Sequence, residues 1–547
     1  MRGTEFVLLL IVAGCGASEP GRDATGAHGA VTAGHPLAAD AGLAVLLDGG
    51  NAMDAAITMA AVLAVARPHM NGIGGDAFII YYDAASQQVY ALNGSGRSGS
   101  RATHDAVREI AGDVDAMPEI GPTSVSVPGA VGAWAAALAR FGTRSWAETL
   151  EPAVRLAREG LPVSERLSLD IAAQADKLRA EPPAAAIFLP NGVAPPAGSV
   201  LARPDLATTL TRLAEVGPQE MYTGETGRTV GEYVTERGGF LGADDFAAYE
   251  PEWVEPLSGS YHDLTVYAMP PNTQGMMLIE VLGILQHHDL PTLGWNSADY
   301  LHTFAQAIAL GVADRDSSVA DPATMRVTPD KILDPARLAA LAAQIDPSSR
   351  ATLTAYSAPD DHPNTVALMA VDSAGNVVSM IQSLFHSFGS GLVVPGTGIV
   401  LQNRGSLFSL DPSHPNFLAP HKRPYHTLCP AFAMRDGLPW LAFGTPGGDG
   451  QVHTLSQLLS NILLFDMTPQ EAIDAPRMRR YTGDRLAIED RIDATVMEAL
   501  TTRGYDVVGR AGWTAEFGGA QAILIGRDGA PHRAGADRRR EGWALAY

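Results

Sequence analysis

The feature that most constrains the fold is a β-hairpin pattern that begins directly after a polar segment. Residues 351–363 are polar and rich in Pro and Asp. Two short apolar runs follow at once, at residues 365–371 and 377–382, and the loop sequence DSAGN separates them. Apolar runs of this length joined by a Gly-containing loop are typical of a β-hairpin. The pattern therefore predicts a strand that opens at Thr365.

Helical and strand patterns alternate irregularly along the rest of the chain. Apolar spacing predicts helices at residues 38–47, 51–66, 130–141, 146–159, 278–286, 298–312 and 451–464. Short β-branched or aromatic runs predict strands at residues 77–82, 88–92, 264–268, 398–401, 441–443 and 520–525. This mixed order, without a regular βαβ cycle, favours layered sheets and helices over a doubly wound fold.

Composition and charge exclude several classes of protein. The chain of 547 residues is 46% hydrophobic and 18% charged, which excludes a disordered or fibrous protein and predicts a large core. Lys and Arg number 38 against 60 Asp and Glu, a net charge of −22. Such a field repels phosphate backbones, so nucleic acid is not an expected partner.

The amino terminus has the pattern of a bacterial lipoprotein signal. An apolar run at residues 6–14, too short to span a bilayer as a helix, ends in Val-Ala-Gly before Cys15. The pattern predicts a signal peptide over residues 1–14, lipidation of Cys15 and a flexible tether over residues 15–33. The protein would then be exported and anchored by lipid in the periplasm or at the cell surface. Glu5 and the weak positive charge leave a cytoplasmic protein as the alternative.

Two further patterns predict no cofactor and no metal. The sequence GIGGD at residues 72–76 follows a predicted helix and precedes a strand, the reverse of a dinucleotide fingerprint, so we interpret it as a tight turn. Histidines such as His414 and His421 lack the helical spacing or the Cys partners of a metal site.

The Asn364–Thr365 junction permits a specific chemistry. A Thr at the start of a strand is most often only a β-former. If its hydroxyl attacks the Asn364 carbonyl, however, an N-to-O acyl shift followed by hydrolysis cuts the chain and frees the Thr365 amine. A terminal amine has a reference pKa of about 7.7–8.0, so it can take the proton from its own hydroxyl. Nucleophile and base then belong to one residue.

A nucleophile of this kind requires donors for the oxyanion that it creates. The sequence GTPGGDGQ, after the predicted strand at residues 441–443, offers the consecutive backbone amides of Gly447 and Gly448. A plain turn between a strand and a helix is the alternative interpretation.

These residues together resemble the γ-glutamyltransferase (glutathione hydrolase) family of N-terminal nucleophile hydrolases. The resemblance runs from about Gly34 to Tyr547 and includes NGIGGDAF, MPPNTQG, HPNTVALMAVDSAGN, LQNRG, RPYHTLCP, GTPGGDGQ and AGADRRREGWALAY. It implies a four-layer αββα sandwich of the α+β class, made as a precursor that cuts itself before the threonine. A large subunit, residues 34–364, and a small catalytic subunit, residues 365–547, would form one intertwined body.

The resemblance also implies roles for individual residues. Thr365 would be the nucleophile and, through its free amine, the base. Gly447 and Gly448 would form the oxyanion hole, Ser383 would hold the place of a hydroxyl that steadies the nucleophile, and cleavage would fall between Asn364 and Thr365.

The sequence departs from the family pattern around the substrate. Members with strict γ-glutamyl specificity commonly have Thr-Thr-His where this chain has Thr365-Val366-Ala367. The position of their carboxylate-binding Arg is held by Ser95, with Arg97 two residues later, and that of their amino-binding Asp by Leu407. Their paired serines fall at His426 and Thr427. We expect Arg97 and Arg404 to clamp a carboxylate instead, with His426 and Thr427 also facing substrate.

The resulting prediction is a self-cleaving amidohydrolase without a cofactor. It would cleave γ-glutamyl amides, such as glutathione, through a Thr365 acyl-enzyme and pass the acyl group to water, amino acids or peptides. One alternative is an acylase of the glutaryl or cephalosporin type, which needs no ammonium-binding Asp. The other is a catalytically silent binding lipoprotein, which would remain one uncut chain.

Overall fold

The computed structural model describes residues 22–350 and 364–547, together with the backbone of the strand Gly16–Ala17. The predicted signal peptide, Cys15 and the polar segment 351–363 lie outside the described residues. Among the described helices, none is both long and apolar enough to cross a membrane.

The strands of the described residues are short to medium in length. In chain order they are β1 Gly16–Ala17, β2 Ala24–Gly26, β3 Ala30–Ala33, β4 Asp76–Asp83, β5 Gln88–Gly94, β6 Leu161–Pro162, β7 Val200–Leu201, β8 Glu252–Val254, β9 Leu257–Tyr261, β10 Leu264–Ala268, β11 Asn364–Val371, β12 Val377–Phe385, β13 Val393–Val394, β14 Ile399–Val400, β15 Ala431–Arg435, β16 Leu438–Gly444, β17 Met478–Arg480, β18 Arg485–Glu489, β19 Asp506–Arg510, β20 Gln521–Leu524, β21 His532–Ala536 and β22 Trp543–Ala546.

The α-helices flank these strands on both sides. In chain order they are α1 Pro36–Leu47, α2 Ala52–Ala66, α3 His104–Ala111, α4 Ala130–Phe141, α5 Trp146–Glu159, α6 Glu165–Ala173, α7 Ala175–Arg179, α8 Pro182–Phe188, α9 Pro204–Val216, α10 Glu225–Glu236, α11 Ala243–Ala247, α12 Gly275–Leu285, α13 Leu290–Leu293, α14 Ala298–Ser318, α15 Pro329–Ile332, α16 Pro335–Ala342, α17 Gln451–Leu464, α18 Pro469–Asp474 and α19 Ala494–Thr502.

Two large sheets form the centre of the molecule. One has eight strands in the order β1-β22-β3-β11-β12-β4-β5-β8, and the other has seven in the order β2-β21-β20-β16-β15-β10-β9. The eight-stranded sheet therefore contains strands from both predicted subunits, β4, β5 and β8 from the large one and β11, β12 and β22 from the small one. This interleaving confirms the α+β sandwich that the sequence predicts.

Strand β11 has apolar side chains on both faces because it separates two layers of core. Leu368 and Ala370 pack into the helix-facing core with residues of α2, whereas Ala367 and Met369 pack between the sheets. Residues that alternate along a strand point to opposite faces. Thr365 therefore faces the space between the sheets, and its strand is anchored on both sides. Each fully buried apolar side chain of this size contributes about 1.5–3 kcal/mol.

The predicted hairpin is confirmed, since β11 pairs antiparallel with β12 across the DSAGN loop. The helices predicted at residues 130–141, 146–159 and 451–464 coincide with α4, α5 and α17.

The prediction of a flexible tether is wrong for residues 22–33, because β2 and β3 lie within them and belong to the two sheets. The small residues there permit close packing rather than flexibility. A Cβ on Gly26 would lie 2.3 Å from the Tyr547 backbone nitrogen, and one on Gly29 would lie 2.9 Å from the Val371 carbonyl.

Candidate active site

Thr365 lies at the start of β11 in a chain of hydroxyl hydrogen bonds. The Thr365 Oγ1 donates to the Ser383 Oγ at 3.0 Å, and the Ser383 Oγ donates to the carbonyl oxygen of Asn364 at 2.8 Å. The register of β11 and β12 shifts between Asn364 and Thr365. The carbonyl that Thr365 would attack is thus polarised by a hydroxyl that also contacts the nucleophile.

Ser383 is held in place by the end of its own strand. Phe385 closes β12 with a left-handed backbone, φ +79°, and its N–H donates to the Ser383 Oγ at 2.7 Å. A non-glycine residue in this region of backbone space is uncommon and costs free energy. The bend therefore directs a donor at Ser383, which orients the hydroxyl toward Thr365 and Asn364.

A row of polar side chains crosses the sheet from Thr365. In register, Thr365 lies opposite Ser383 on β12, and Ser383 lies opposite Asp76 on β4. Directly opposed residues of antiparallel strands project from the same face. Asp76, which ends the GIGGD turn, therefore faces the active site, a role that the sequence pattern did not reveal.

Arg404 lies across this row as a buried cation. Its side chain is fully buried, its Nη1 donates to the Thr427 Oγ1 at 3.0 Å, and its Nη2 lies 3.4 Å from the Ser383 Oγ. Its Nε is buried without a hydrogen-bond partner, and within the described residues no carboxylate lies at ion-pair distance. Burial lowers the pKa of Arg404 to about 9, although the more distant Asp76 opposes this effect. A buried, unneutralised guanidinium is costly and suits an anionic ligand.

Both carboxylate oxygens of Asp76 already have hydrogen-bond partners. Its Oδ1 accepts from the backbone N–H of Gly96 and Gly129 and from the Gln402 Nε2 at 3.0–3.3 Å, and its Oδ2 lies 3.2 Å from the His426 Nε2. Burial raises the pKa of Asp76 to about 7, against the opposing effect of Arg404.

His426 is a buried, neutral partner of Asp76. Burial, and then Arg404, lower the pKa of His426 well below its usual value. The Leu428 N–H lies 3.4 Å from the His426 Nδ1, so we assign the imidazole proton to Nε2, which donates to Asp76. The His426 imidazole is therefore hydrogen-bonded to Asp76, whereas the Thr427 hydroxyl directly contacts Arg404.

The predicted oxyanion loop follows β16, a strand of the opposite sheet whose end lies over β11. Gly444 lies over β11, since a Cβ there would be 3.6 Å from the Ala367 Cβ. Gly447 and Gly448 have φ values of +140° and +56°, which a side chain would strain. The Gln274 Nε2 donates to the carbonyls of both Thr427 and Gly448, at 2.5 and 2.9 Å. Gln274, from the PPNTQG motif, thus fastens the loop to the Arg404 side of the site.

The predicted clamp between Arg97 and Arg404 is wrong. The Arg97 side chain is 43% exposed, and its Nη1 contacts the Asp321 Oδ2 and the His421 carbonyl, each at 3.1 Å. Within the described residues it shares no hydrogen-bond partner with Arg404. The chain leaves β5 after Gly94, so the position of Arg97 two residues past Ser95 does not direct its side chain toward Thr365. Of these two arginines, Arg404 is the one that lies beside Ser383.

Two other departures from the family pattern are also located. The Ser95 Oγ accepts from the Asn272 Nδ2 at 3.0 Å, and Leu407 packs against an apolar cluster that includes Met276 and Tyr425.

Cys429 is a buried free thiol. Among the described residues, no group of three or more His, Cys, Asp or Glu side chains is arranged to hold a metal ion.

Comparison with known proteins decides the family. A sequence model described as gamma-glutamyltranspeptidase matches residues 38–547. The chain belongs to the gamma-glutamyltranspeptidase family. The glutathione hydrolase-like YwrD proenzyme of Bacillus subtilis is 35% identical over 519 residues, which cover 93% of this chain and 97% of that protein. The oxamate amidohydrolase proenzyme of Klebsiella pneumoniae is 34% identical, over 95% of this chain and 98% of that protein.

A solved member of the gamma-glutamyltranspeptidase family matches the whole fold. The crystal structure of cephalosporin acylase from Bacillus halodurans superimposes with a TM-score of 0.91 and 34% identity, over 99% of each chain. The chain therefore belongs to an enzyme family of the N-terminal nucleophile hydrolase type. Its relatives include proteins named as glutathione hydrolases and as acylases.

Proposed function

We propose that the protein is a self-cleaving threonine amidohydrolase for mono-amides of dicarboxylic acids. The observation that carries this proposal is Arg404, a buried guanidinium that contacts Ser383 beside the nucleophile and has no carboxylate partner among the described residues. A substrate carboxylate on the acyl half would supply the missing charge. A charge-assisted hydrogen bond of this kind contributes about 1.5–3 kcal/mol.

The self-cleavage uses the hydroxyl chain at the junction. The Thr365 Oγ1 attacks the Asn364 carbonyl carbon, its proton passes to Ser383, and the Ser383 proton passes to the carbonyl oxygen. Collapse breaks the C–N bond, and the new amine takes up the relayed proton. Water then hydrolyses the ester, which leaves the Asn364 carboxylate and a free Thr365 amine.

The mature enzyme repeats this attack on a substrate amide. The Thr365 amine takes the hydroxyl proton, the Oγ1 attacks the amide carbonyl, and the Gly447 and Gly448 amides bind the oxyanion. The substrate amine departs with the proton, and water or an acceptor amine removes the acyl group. The chain supplies every group in this sequence, so the proposal includes no cofactor.

The charges near Arg404 favour an acyl group without an ammonium. An ammonium would approach the Arg404 cation, while the oxygens of Asp76 already accept from four donors. Leu407 offers no charge. Oxamate, in the name of one relative, is a dicarboxylic mono-amide without an ammonium. A glutaryl amide has the same character.

A γ-glutamyl amide, such as glutathione, is the second candidate substrate. It carries the carboxylate that Arg404 would bind, and the name of the YwrD relative favours it. Transfer to amino acids or peptides would then accompany hydrolysis. Its α-ammonium distinguishes it from the first candidate.

The decisive experiment compares glutaryl, γ-glutamyl and pentanoyl p-nitroanilides, using wild type, Arg404→Met and Arg97→Met. We expect wild type to prefer the glutaryl compound, and Arg404→Met to lower its kcat/KM by about 10- to 100-fold. The neutral pentanoyl compound should change less than threefold, and Arg97→Met should behave as wild type. If wild type prefers the γ-glutamyl compound, the second candidate is correct. If Arg404→Met leaves kcat/KM unchanged for all three compounds, Arg404 does not bind the substrate carboxylate.

Self-cleavage has its own test by mass spectrometry of the purified protein. We expect two chains that meet at Asn364 and Thr365, and a single chain in Thr365→Ala. One uncut wild-type chain without activity would instead identify a silent binding protein.

We also propose that the protein is exported and lipid-anchored at Cys15, at the periplasmic face or cell surface. The apolar run before Cys15 supports this. Palmitate labelling should mark wild type in the membrane fraction and fail in Cys15→Ser. Label-free protein in the soluble cell extract would favour a cytoplasmic location.

A further inference from the structure

The side chain of Asn364 accepts a hydrogen bond from a residue that is distant in the sequence. While the Asn364 carbonyl accepts from Ser383, its side-chain Oδ1 accepts from the Arg540 Nη1 at 2.6 Å. The residue before the nucleophile is therefore fixed at two points, one on β12 and one in the C-terminal motif AGADRRREGWALAY.

Arg540 is itself rigidly held. Its Nε and Nη2 both donate to the Ala515 carbonyl, at 3.2 and 2.8 Å, and its own carbonyl accepts from the Arg67 Nη2 at 2.8 Å. The side chain is buried, at 7% exposure, and its aliphatic carbons pack against Gly519. Because three of its contacts go to backbone or to Asn364, little freedom remains in the position of Nη1.

No acid neutralises Arg540 within ion-pair distance in the described part of the chain. Its sequence neighbour Arg539, by contrast, pairs with both Glu489 and Asp537. Burial lowers the pKa of Arg540 to about 10; the cations Arg166, Arg479 and Arg67 add to this effect, and the more distant Asp170 opposes it. A buried charge without an acid is costly, and a purely structural cross-link would not need one. The amide of Asn364 is the polar side chain that this guanidinium contacts.

We propose that Arg540 is a positioning residue for the self-cleavage, which aligns the Asn364 carbonyl for attack and makes cleavage wait until the C-terminal strand is in place. This inference rests on the proposed self-cleavage at Asn364–Thr365. Arg540 gives and takes no proton; it acts only through the Asn364 side chain, so the bonds that form and break are those already described.

The sheet order explains how the C terminus would control the cut. Arg540 lies three residues before the start of β22, which pairs with β3, and β3 pairs with β11, the strand of Thr365. The Arg67 Nη1 binds the Glu541 Oε2 at 2.6 Å and so joins the same segment to the end of α2. A segment that is synthesised long after Thr365 thus completes the hydrogen bonds that hold Asn364.

A double-mutant cycle tests the contact. Wild type, Asn364→Ala, Arg540→Met and the double variant are pulse-labelled in cell-free translation, and conversion to two chains is followed on denaturing gels. Each single change should slow cleavage about 10- to 100-fold. The double variant should be no slower than the slower single variant, because both remove one interaction. Multiplied effects, or an unchanged rate in Asn364→Ala, would overturn the proposal.

Controls separate positioning from folding. Arg538→Met changes a more exposed arginine of the same motif and should cleave at the wild-type rate. Asn364→Ala leaves the buried guanidinium in place, so it keeps the test valid if Arg540→Met fails to fold. If wild type itself is not cut, or Thr365→Ala is, the proposed function fails; if wild type is cut but the cycle is multiplicative, only this inference fails.

Arrested nascent chains test the timing. Full-length chains are held on the ribosome by C-terminal extensions that either keep residues 537–547 inside the exit tunnel or release them. We expect cleavage only after release. Cleavage while these residues are still in the tunnel would contradict the inference.

Discussion

Two groups of buried arginines in this molecule differ in their counter-charges. In the first group, the Arg539 Nε binds the Glu489 Oε1 at 2.7 Å, and the Arg477 Nη2 binds the Asp537 Oδ2 at 2.8 Å. In the second group, Arg404 and Arg540 approach the Asn364–Thr365 junction from two sides, and among described residues neither has a carboxylate at ion-pair distance. The groups are comparably buried, so burial alone does not distinguish them.

The difference indicates which buried charges are structural and which are available for function. A neutralised arginine holds elements together, and its removal leaves buried acids behind. An arginine without an acid costs free energy in the folded state, and we infer that Arg404 and Arg540 are retained because a ligand or a reacting peptide uses them. The four predictions below test this distinction, from the largest expected effect to the smallest.

Arg539→Met should destabilise the protein most. It leaves Glu489 and Asp537 buried with fewer counter-charges, so we expect the free energy of unfolding to fall by about 3–5 kcal/mol. Denaturant unfolding, measured in the Thr365→Ala background to keep one chain, gives the value. Arg538→Met, in the same motif, is the matched control. A loss below about 1 kcal/mol would contradict the structural role of the first group.

Asp76→Asn should change the pH dependence of stability. Burial raises the pKa of Asp76 to about 7, so between about pH 4 and 7 the folded state keeps a proton that the unfolded chain has lost. Stability from this group therefore falls as pH rises through that window. The Asn variant lacks this titrating group, so its free energy of unfolding relative to that of wild type should rise by about 1.4 kcal/mol per pH unit across the window. The exposed Asp105→Asn is the control, and a parallel pH profile for both variants would refute the expectation.

Arg404→Met should stabilise the folded protein while it impairs catalysis. Removing an unneutralised buried cation should raise the free energy of unfolding by about 1 kcal/mol, opposite in sign to Arg539→Met. Thermal and denaturant unfolding in the Thr365→Ala background measure this change. A destabilisation as large as that of Arg539→Met would place Arg404 in the structural group and break the comparison.

Arg97→Ala should have the smallest effect. Its guanidinium is substantially exposed and pairs with Asp321, which also accepts from the Arg423 backbone N–H. Exposed ion pairs contribute about 0–1 kcal/mol, so we expect a loss below about 1 kcal/mol and no change in kcat/KM. A tenfold loss of kcat/KM would indicate that Arg97 contacts the substrate after all.

The fold was predictable where the local pattern is strong. The hairpin at Thr365 and the helices α4, α5 and α17 follow from their apolar spacing. Strands β3 and β22 were missed because the runs AVTA and WALA are only four residues long, and partner strands from distant parts of the chain stabilise them. The same cause made residues 22–33 resemble a tether.

The sequence predicts the proposed reacting groups but not the residues that surround them. Thr365, Ser383, Gly447 and Gly448 follow from the junction chemistry and the family pattern. Asp76 was read as part of a turn, because only its register opposite Ser383 brings it to the site. Arg540 was missed because its contact joins the last residue of the predicted large subunit, Asn364, to a distant part of the small subunit.

The sequence by itself determined the strand that begins at Thr365, the donors that a glycine pair offers, and the family of the chain, because these depend on residues that are adjacent in sequence. Tertiary structure alone decided that Arg404, and not Arg97, lies beside Ser383. A guanidinium reaches several ångströms from its backbone, and its counter-charges come from strands and loops that meet only after the two sheets have packed.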